Sequence, residues 1–221
     1  MKMINRIKLR LIQQISNVRQ LNLILERKLN KNDKFIFNNK EFTYFNHSYN
    51  NKRLTERSIE IPIIINYLLN SITSRILEIG NVSNYYYTSF KEIIKEKTVV
   101  DKLEYFNNVI LKDIYDYTSI FKFQFIFSIS TFEHMDKPIR NISYIITKLL
   151  SKNGIFIFTF LKDYSDNLKI KDILAILKFC KELLIIKSYM IYYFENINEI
   201  EWKQIKVFNN NKNLVIIEVR K

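Results

Sequence analysis

Carboxylates, hydroxyls and a histidine recur at the ends of short apolar runs in the middle of this chain. Arg75-Ile76-Leu77-Glu78-Ile79 closes on Gly80 and Asn81. Thr98-Val99-Val100 closes on Asp101, about twenty residues after Gly80. The run Asn108–Lys112 is followed by Asp113, with Asp116 close behind, and Phe123–Ser130 leads into Thr131-Phe132-Glu133-His134. Each residue type brings a chemistry. A glycine lets the backbone approach a ligand that a side chain would block. A carboxylate such as Asp101 can accept hydrogen bonds from neighbouring hydroxyls. Glu78 lies inside an apolar run and needs partners if buried, which a ligand or a loop hydrogen bond would supply. Histidine is the side chain best suited to take a proton near neutral pH. Of the two histidines, His134 follows a strand end directly, whereas His47 lies in the aromatic run Tyr44–Asn50. A packed Glu133–His134 pair that shapes the loop is the competing reading for His134.

The elements that must hold these residues alternate. Helical patterns cover Ser58–Leu69, Tyr85–Lys95, Lys137–Leu150 and Ile170–Leu183. Strand patterns cover Arg75–Gly80, Thr98–Asp101, Asn108–Lys112, Phe123–Ser130, Ile155–Phe160, part of Leu184–Phe194, and Leu214–Val219. Apolar strands between helices predict an α/β fold whose mostly parallel, seven-stranded sheet is covered on both faces. Ligands of such sheets bind at the carboxyl ends of the strands, where the strand order reverses. Ahead of this lies an appendage, residues 1–57. Ile4, Ile7, Leu11, Ile15, Val18, Leu21 and Leu25 predict an amphipathic helix that packs on the domain or mediates oligomerisation. Lys34–Phe37 and Glu41–Phe45 read as extended pieces around a turn at Asn38-Asn39. Residues 58–221 then form the α/β domain.

The ordered set of strand ends resembles the class I S-adenosylmethionine-dependent methyltransferases, over roughly Arg57 to Phe160. Within them it is similar to bacterial methyltransferase-like proteins of the surface-polysaccharide type, which carry a stretch like Leu54–Pro62 and a first loop like Gly80–Tyr85. The resemblance implies a Rossmann-like doubly wound sheet with S-adenosyl-L-methionine as cofactor. It implies cofactor binding by Glu78, Gly80, Asn81, Asp101, Asp113 and Ser130, and a catalytic role for His134 with Glu133. The implied acceptor is a small molecule or a saccharide. Where the general family has Gly-x-Gly-x-Gly, Val82 and Asn84 stand at the later glycine positions. A non-enzymatic interaction module on the same fold is therefore the alternative, and a nucleic-acid methyltransferase ranks after both.

Composition narrows the choice further. The 221 residues are 48% hydrophobic, enough for a full core. Two glycines exclude a glycine-rich nucleotide loop, and the single Cys180 excludes an internal disulfide or a cysteine metal cluster. No metal site is expected. The net charge of +13 would suit a nucleic acid, but the lysines are scattered and Ala175 is the only alanine. That is the bias of an AT-rich genome, and a nucleic-acid partner is not favoured. No apolar stretch is long enough to span a bilayer, so a cytoplasmic protein is expected. The basic start (Lys2, Arg6, Lys8, Arg10, Arg19) leaves a targeting or membrane-surface helix as an alternative use of that segment.

Overall fold

A computed structural model describes residues 34–45, 47, 56–70, 75–91, 93, 94, 96–161, 168–194 and 214–221. The expected helix from Ile4 to Leu25 lies outside them. The described residues belong to two compact units: one holds those up to Asn70 together with 85–93, the other holds 75–84 and those from Ile94 onward.

In the first unit, β1 (Lys34–Phe37) and β2 (Lys40–Thr43) form an antiparallel hairpin. Asn38 and Asn39 turn it with φ of 49° and 58°, the left-handed pair that a two-residue hairpin needs and that asparagine tolerates. Helix α1 (Arg57–Asn70) continues through Pro62. A proline there removes the N–H that would bond the carbonyl four residues back. That carbonyl, on Ser58, accepts instead from the backbone N–H of Phe45 at 2.9 Å, so the proline leaves no orphaned acceptor.

The second unit is built on a sheet of seven strands: β3 (Ile76–Ile79), β4 (Thr98–Asp101), β5 (Val109–Leu111), β6 (Phe123–Ser128), β7 (Leu150–Leu161), β8 (Ser188–Phe194) and β9 (Leu214–Arg220). Their order is β5-β4-β3-β6-β7-β9-β8. All pairings are parallel except those of β9 with β7 and β8. This is the Rossmann-like doubly wound arrangement. From β3 the chain steps outward through β4 to β5, then returns to the other side of β3 with β6. The order reverses between β3 and β6, which opens a crevice at their carboxyl ends.

Between strands, the helical segments are shorter than the pattern suggested. Where Tyr85–Lys95 was expected, a 3-10 turn (Ser83–Tyr86) leads into α2 (Tyr87–Phe90). A tyrosine-rich start with Thr88 and Ser89 has low helix propensity. Helix α3 (Pro138–Tyr144) begins with proline at its first position, then rewinds as a π-turn over Ile145–Leu149. Helix α4 (Ile170–Glu182) presents Ile173, Leu177 and Cys180 to the core. There they join Phe156, Phe158, Phe160, Val215 and Ile217 of the sheet. Phe156 and Phe158 stack at 4.8 Å, and Phe132 meets Phe158 edge-on at 5.2 Å. β7 starts earlier than Ile155 because it carries a bulge: Leu150 pairs with Phe123, but Ile155 pairs with Phe125.

Candidate functional site

The crevice begins where β3 ends. Gly80 has φ +86°, and a Cβ built there would collide with the Thr131 side chain. Glycine is thus required twice, for the left-handed turn and for the close approach of the loop after β6. That loop is itself bent. Ser130 has φ +40°, a conformation rare outside glycine, and its N–H is held by the carbonyl and hydroxyl oxygens of Thr159 at 3.1 and 2.9 Å. Ser128 donates its hydroxyl to the Ile79 carbonyl at 2.9 Å, tying β6 to the end of β3.

Glu78 is 1% exposed and takes three hydrogen bonds from its own unit. Its Oε1 accepts from Ser83 N at 2.7 Å, and its Oε2 accepts from the Ser83 hydroxyl and from Lys97 Nζ, the latter at 2.7 Å. Lys97 also donates to the Ser83 hydroxyl. Sequence reasoning missed both partners. Ser83 was visible as a loop residue, whereas Lys97 stands out only as the cation just before β4.

Asn81 follows the turn. Its backbone N–H donates to Asp101 Oδ2 at 3.0 Å, and its side-chain oxygen accepts from Asn84. Its Nδ2 is buried and has no hydrogen-bond partner among the described residues. Asp101 Oδ1 accepts the N–H groups of Leu103 and Glu104 at 2.7 and 2.8 Å. A carboxylate offers about four acceptor positions. Three are taken, and one remains, on Oδ2.

Asp113 caps the 3-10 turn Ile114–Asp116 by accepting from Tyr115 N at 3.0 Å. Its other oxygen lies 3.4 Å from Lys102 Nζ, which also meets Asp136 at 3.0 Å. Hydrogen bonds to Asp136 and Asp113 raise the Lys102 pKa, and the Lys102 bond lowers that of Asp136. Glu133 and His134 lie on the 3-10 turn Phe132–His134 straight after β6. Glu133 is buried and His134 exposed, with its N–H on the Thr131 carbonyl at 3.0 Å. Gly80, Asn81 and Asp101 therefore form one bonded cluster. Ser130 lies beside Thr131, which meets Gly80, and Asp113 reaches Asp136 through Lys102.

The first unit gathers the other singled-out residues. His47 stacks on Phe45 at 5.7 Å and meets Tyr86 edge-on at 5.0 Å, and burial lowers its pKa below the usual 6.5. Arg57 pairs with buried Glu60 at 2.7 Å. Burial opposes the Arg57 charge, but Glu60, Glu56 and Tyr86 outweigh it and raise its pKa. No group of three or more acids, histidines or cysteines able to hold a metal occurs among the described residues. None of their helices is long and apolar enough to cross a membrane.

No protein-family model matches the chain, and no curated protein matches its sequence. Solved structures do. The plantazolicin methyltransferase BpumL, in complex with a pentazolic desmethylPZN analog and SAH, superposes with a TM-score of 0.53 at 16% identity, over 78% of this chain and 88% of that one. The YcgJ protein from Bacillus subtilis gives 0.51 at 12% identity, over 74% and 98%. The N-methyltransferase NodS from Bradyrhizobium japonicum WM9 gives 0.50 at 13%, over 74% and 95%. These likenesses establish a fold shared with methyltransferases.

Proposed function

We propose that the chain transfers a methyl group from S-adenosyl-L-methionine to a small-molecule acceptor. The observation that carries this reading is the unfinished hydrogen bonding at the switch point. Buried Asn81 Nδ2 is a donor without a partner among the described residues, beside an Asp101 carboxylate with one acceptor position left. A ligand with vicinal hydroxyls and acceptor atoms fits that pair, and the Gly80 turn, packed against Thr131, sets where Asn81 stands.

When bound, the cofactor supplies an electrophilic methyl carbon on a sulfonium. The chain's residues would do the rest. Asp101 and Asn81 would hold the polar body of the ligand, with Asp113 and Ser130 at the margins. Glu78 would act through the loop by fixing Ser83, which takes a position on each of its oxygens. His134 would take the proton of a hydroxyl or amine acceptor, and Glu133 would fix the turn that presents it. A saccharide acceptor rests on the sequence resemblance alone, as does the surface-polysaccharide grouping, and cytoplasmic residence rests on the absence of a long apolar stretch from the sequence.

Titration with S-adenosylhomocysteine by calorimetry tests the reading. The expected result is a Kd of about micromolar that weakens at least about tenfold in Asp101→Ala. His134→Ala should keep that affinity and lose turnover. Three of about four acceptor positions of Glu78 are taken by Ser83 and Lys97, and this favours the second reading, a non-enzymatic interaction module. A folded protein that does not bind S-adenosylhomocysteine would establish that reading in place of the first.

A further inference from the structure

The lysines that look scattered in the sequence are sorted by the strand order. At the end of the sheet opposite the crevice, five neighbouring strands each carry a cation at the tip. Arg75 precedes β3, Lys122 precedes β6, Lys152 lies in the bulge of β7, Lys221 follows β9 and Lys187 precedes β8. Strands are about 4.8 Å apart, so the row spans about 19 Å. No carboxylate pairs with any of the five among the described residues. Glu182, which ends α4, forms no ion pair with them. Lys187 donates to Asn153 Oδ1, and Lys221 donates to the carbonyls of Ile146 and Leu150, so neither charge is neutralised. Lys122 is close enough to Lys221 to lower its pKa, after the larger effect of burial.

Apolar side chains protrude at this same end. Ile120 is 92% exposed and Leu184 89%, the two most exposed large hydrophobic residues described. Ile120 and Phe121 precede Lys122, and Leu184 stands three residues before Lys187. β6 and β8 are three strand spacings apart, about 14 Å. Phe121 is 56% exposed and carries the Arg75 guanidinium at 5.1 Å from its ring. Lys152, Lys187 and Lys221 also line an open cleft of about 500 Å³ with Leu184 and Thr147. Aliphatic tips flanked by unpaired cations suit an interface that is apolar beneath and anionic above. They suit a nucleic acid less well, because isoleucine and leucine offer no stacking surface to bases.

We propose that this end of the sheet docks on an anionic lipid bilayer, with Ile120, Phe121 and Leu184 entering the interface and the row of cations meeting the headgroups. The proposal is independent of the methyl-transfer reading. The test is co-sedimentation of the full chain with vesicles of phosphatidylcholine, with and without about a third phosphatidylserine. Binding is expected only with phosphatidylserine, falling at least about tenfold between about 0.1 M and about 0.5 M NaCl. Lys122→Glu/Lys152→Glu/Lys187→Glu should weaken binding at least about tenfold. Ile120→Ser/Leu184→Ser, which leaves every charge in place, should weaken it about fivefold or more, with circular dichroism checking the fold of each variant. Should the charge variant fail to fold, the serine variant decides. Equal binding to both vesicle types, no binding, or unchanged binding by a folded variant would overturn the proposal. So would preference for a polyuridylate strand over the vesicles.

Discussion

The two ends of one sheet handle charge in opposite ways. At the carboxyl ends of the strands, acids have partners within the unit. Asp101 takes three backbone N–H groups, Asp113 takes one and faces Lys102, and Lys102 also meets Asp136. At the other end, Lys97 and Arg220 have acids, Glu78 and Glu218, but Arg75, Lys122, Lys152, Lys187 and Lys221 stand side by side with no acid among the described residues. The same strands build both ends, so the difference comes from what the loops were given to do. Matched charges hold a loop in one shape, which a ligand site needs. Unmatched charges leave a field that only a partner outside the chain can satisfy.

The sharpest way to break a matched pair is Lys97→Met, whose side chain reaches from the start of β4 to Glu78. It leaves the Glu78 carboxylate buried without its cation, and about 3 kcal/mol of stability should be lost in urea unfolding. Adding Glu78→Gln should restore more than half. If the double variant is as unstable as the single, the pair is not what holds the loop. Next comes Gly80→Ala, where a Cβ meets Thr131 and the φ of +86° is strained. A loss of about 2 kcal/mol is expected. Thr131→Ala should relieve part of it, and strict additivity of the two changes would argue against the contact.

Much of the matched end could be read in the sequence, and the other end could not. Strand ends at Gly80, Asp101 and Asp113 are local signals: an apolar run stops and a residue with a defined chemistry follows. β4, β5, β6 and β9 accordingly fall within a residue or two of where periodicity put them. The partners of Glu78 are not local. Lys97 is separated from it by a helical segment and a strand crossover, and nothing in its neighbours marks it. The bulge that lengthens β7 depends on two strands meeting out of step. The cationic row is the extreme case. Arg75, Lys122, Lys152, Lys187 and Lys221 lie far apart in the chain, and only the order β3-β6-β7-β9-β8 makes them neighbours. A net charge of +13 hid a sorted distribution that composition cannot report.

The smallest expected effect sharpens the comparison from the unmatched end. Burial and Lys122 together lower the Lys221 pKa below its ordinary 10.5. Between the folded value and 10.5, the unfolded chain binds more protons than the folded one, so stability should rise with pH across that window. Below it, both states are charged and the folded state carries the full cost of crowding. Lys122→Gln removes one of the crowded charges. It should stabilise the chain at neutral pH by less than about 0.5 kcal/mol at low salt, and by less again at about 1 M NaCl, where the Debye length is about 3 Å. The rise with alkaline pH should shrink in the variant. Matched substitution of a paired cation, Lys102→Gln, should go the other way and cost stability. If both lysine changes shift stability in the same direction, the two ends of the sheet do not differ as their contacts say they do.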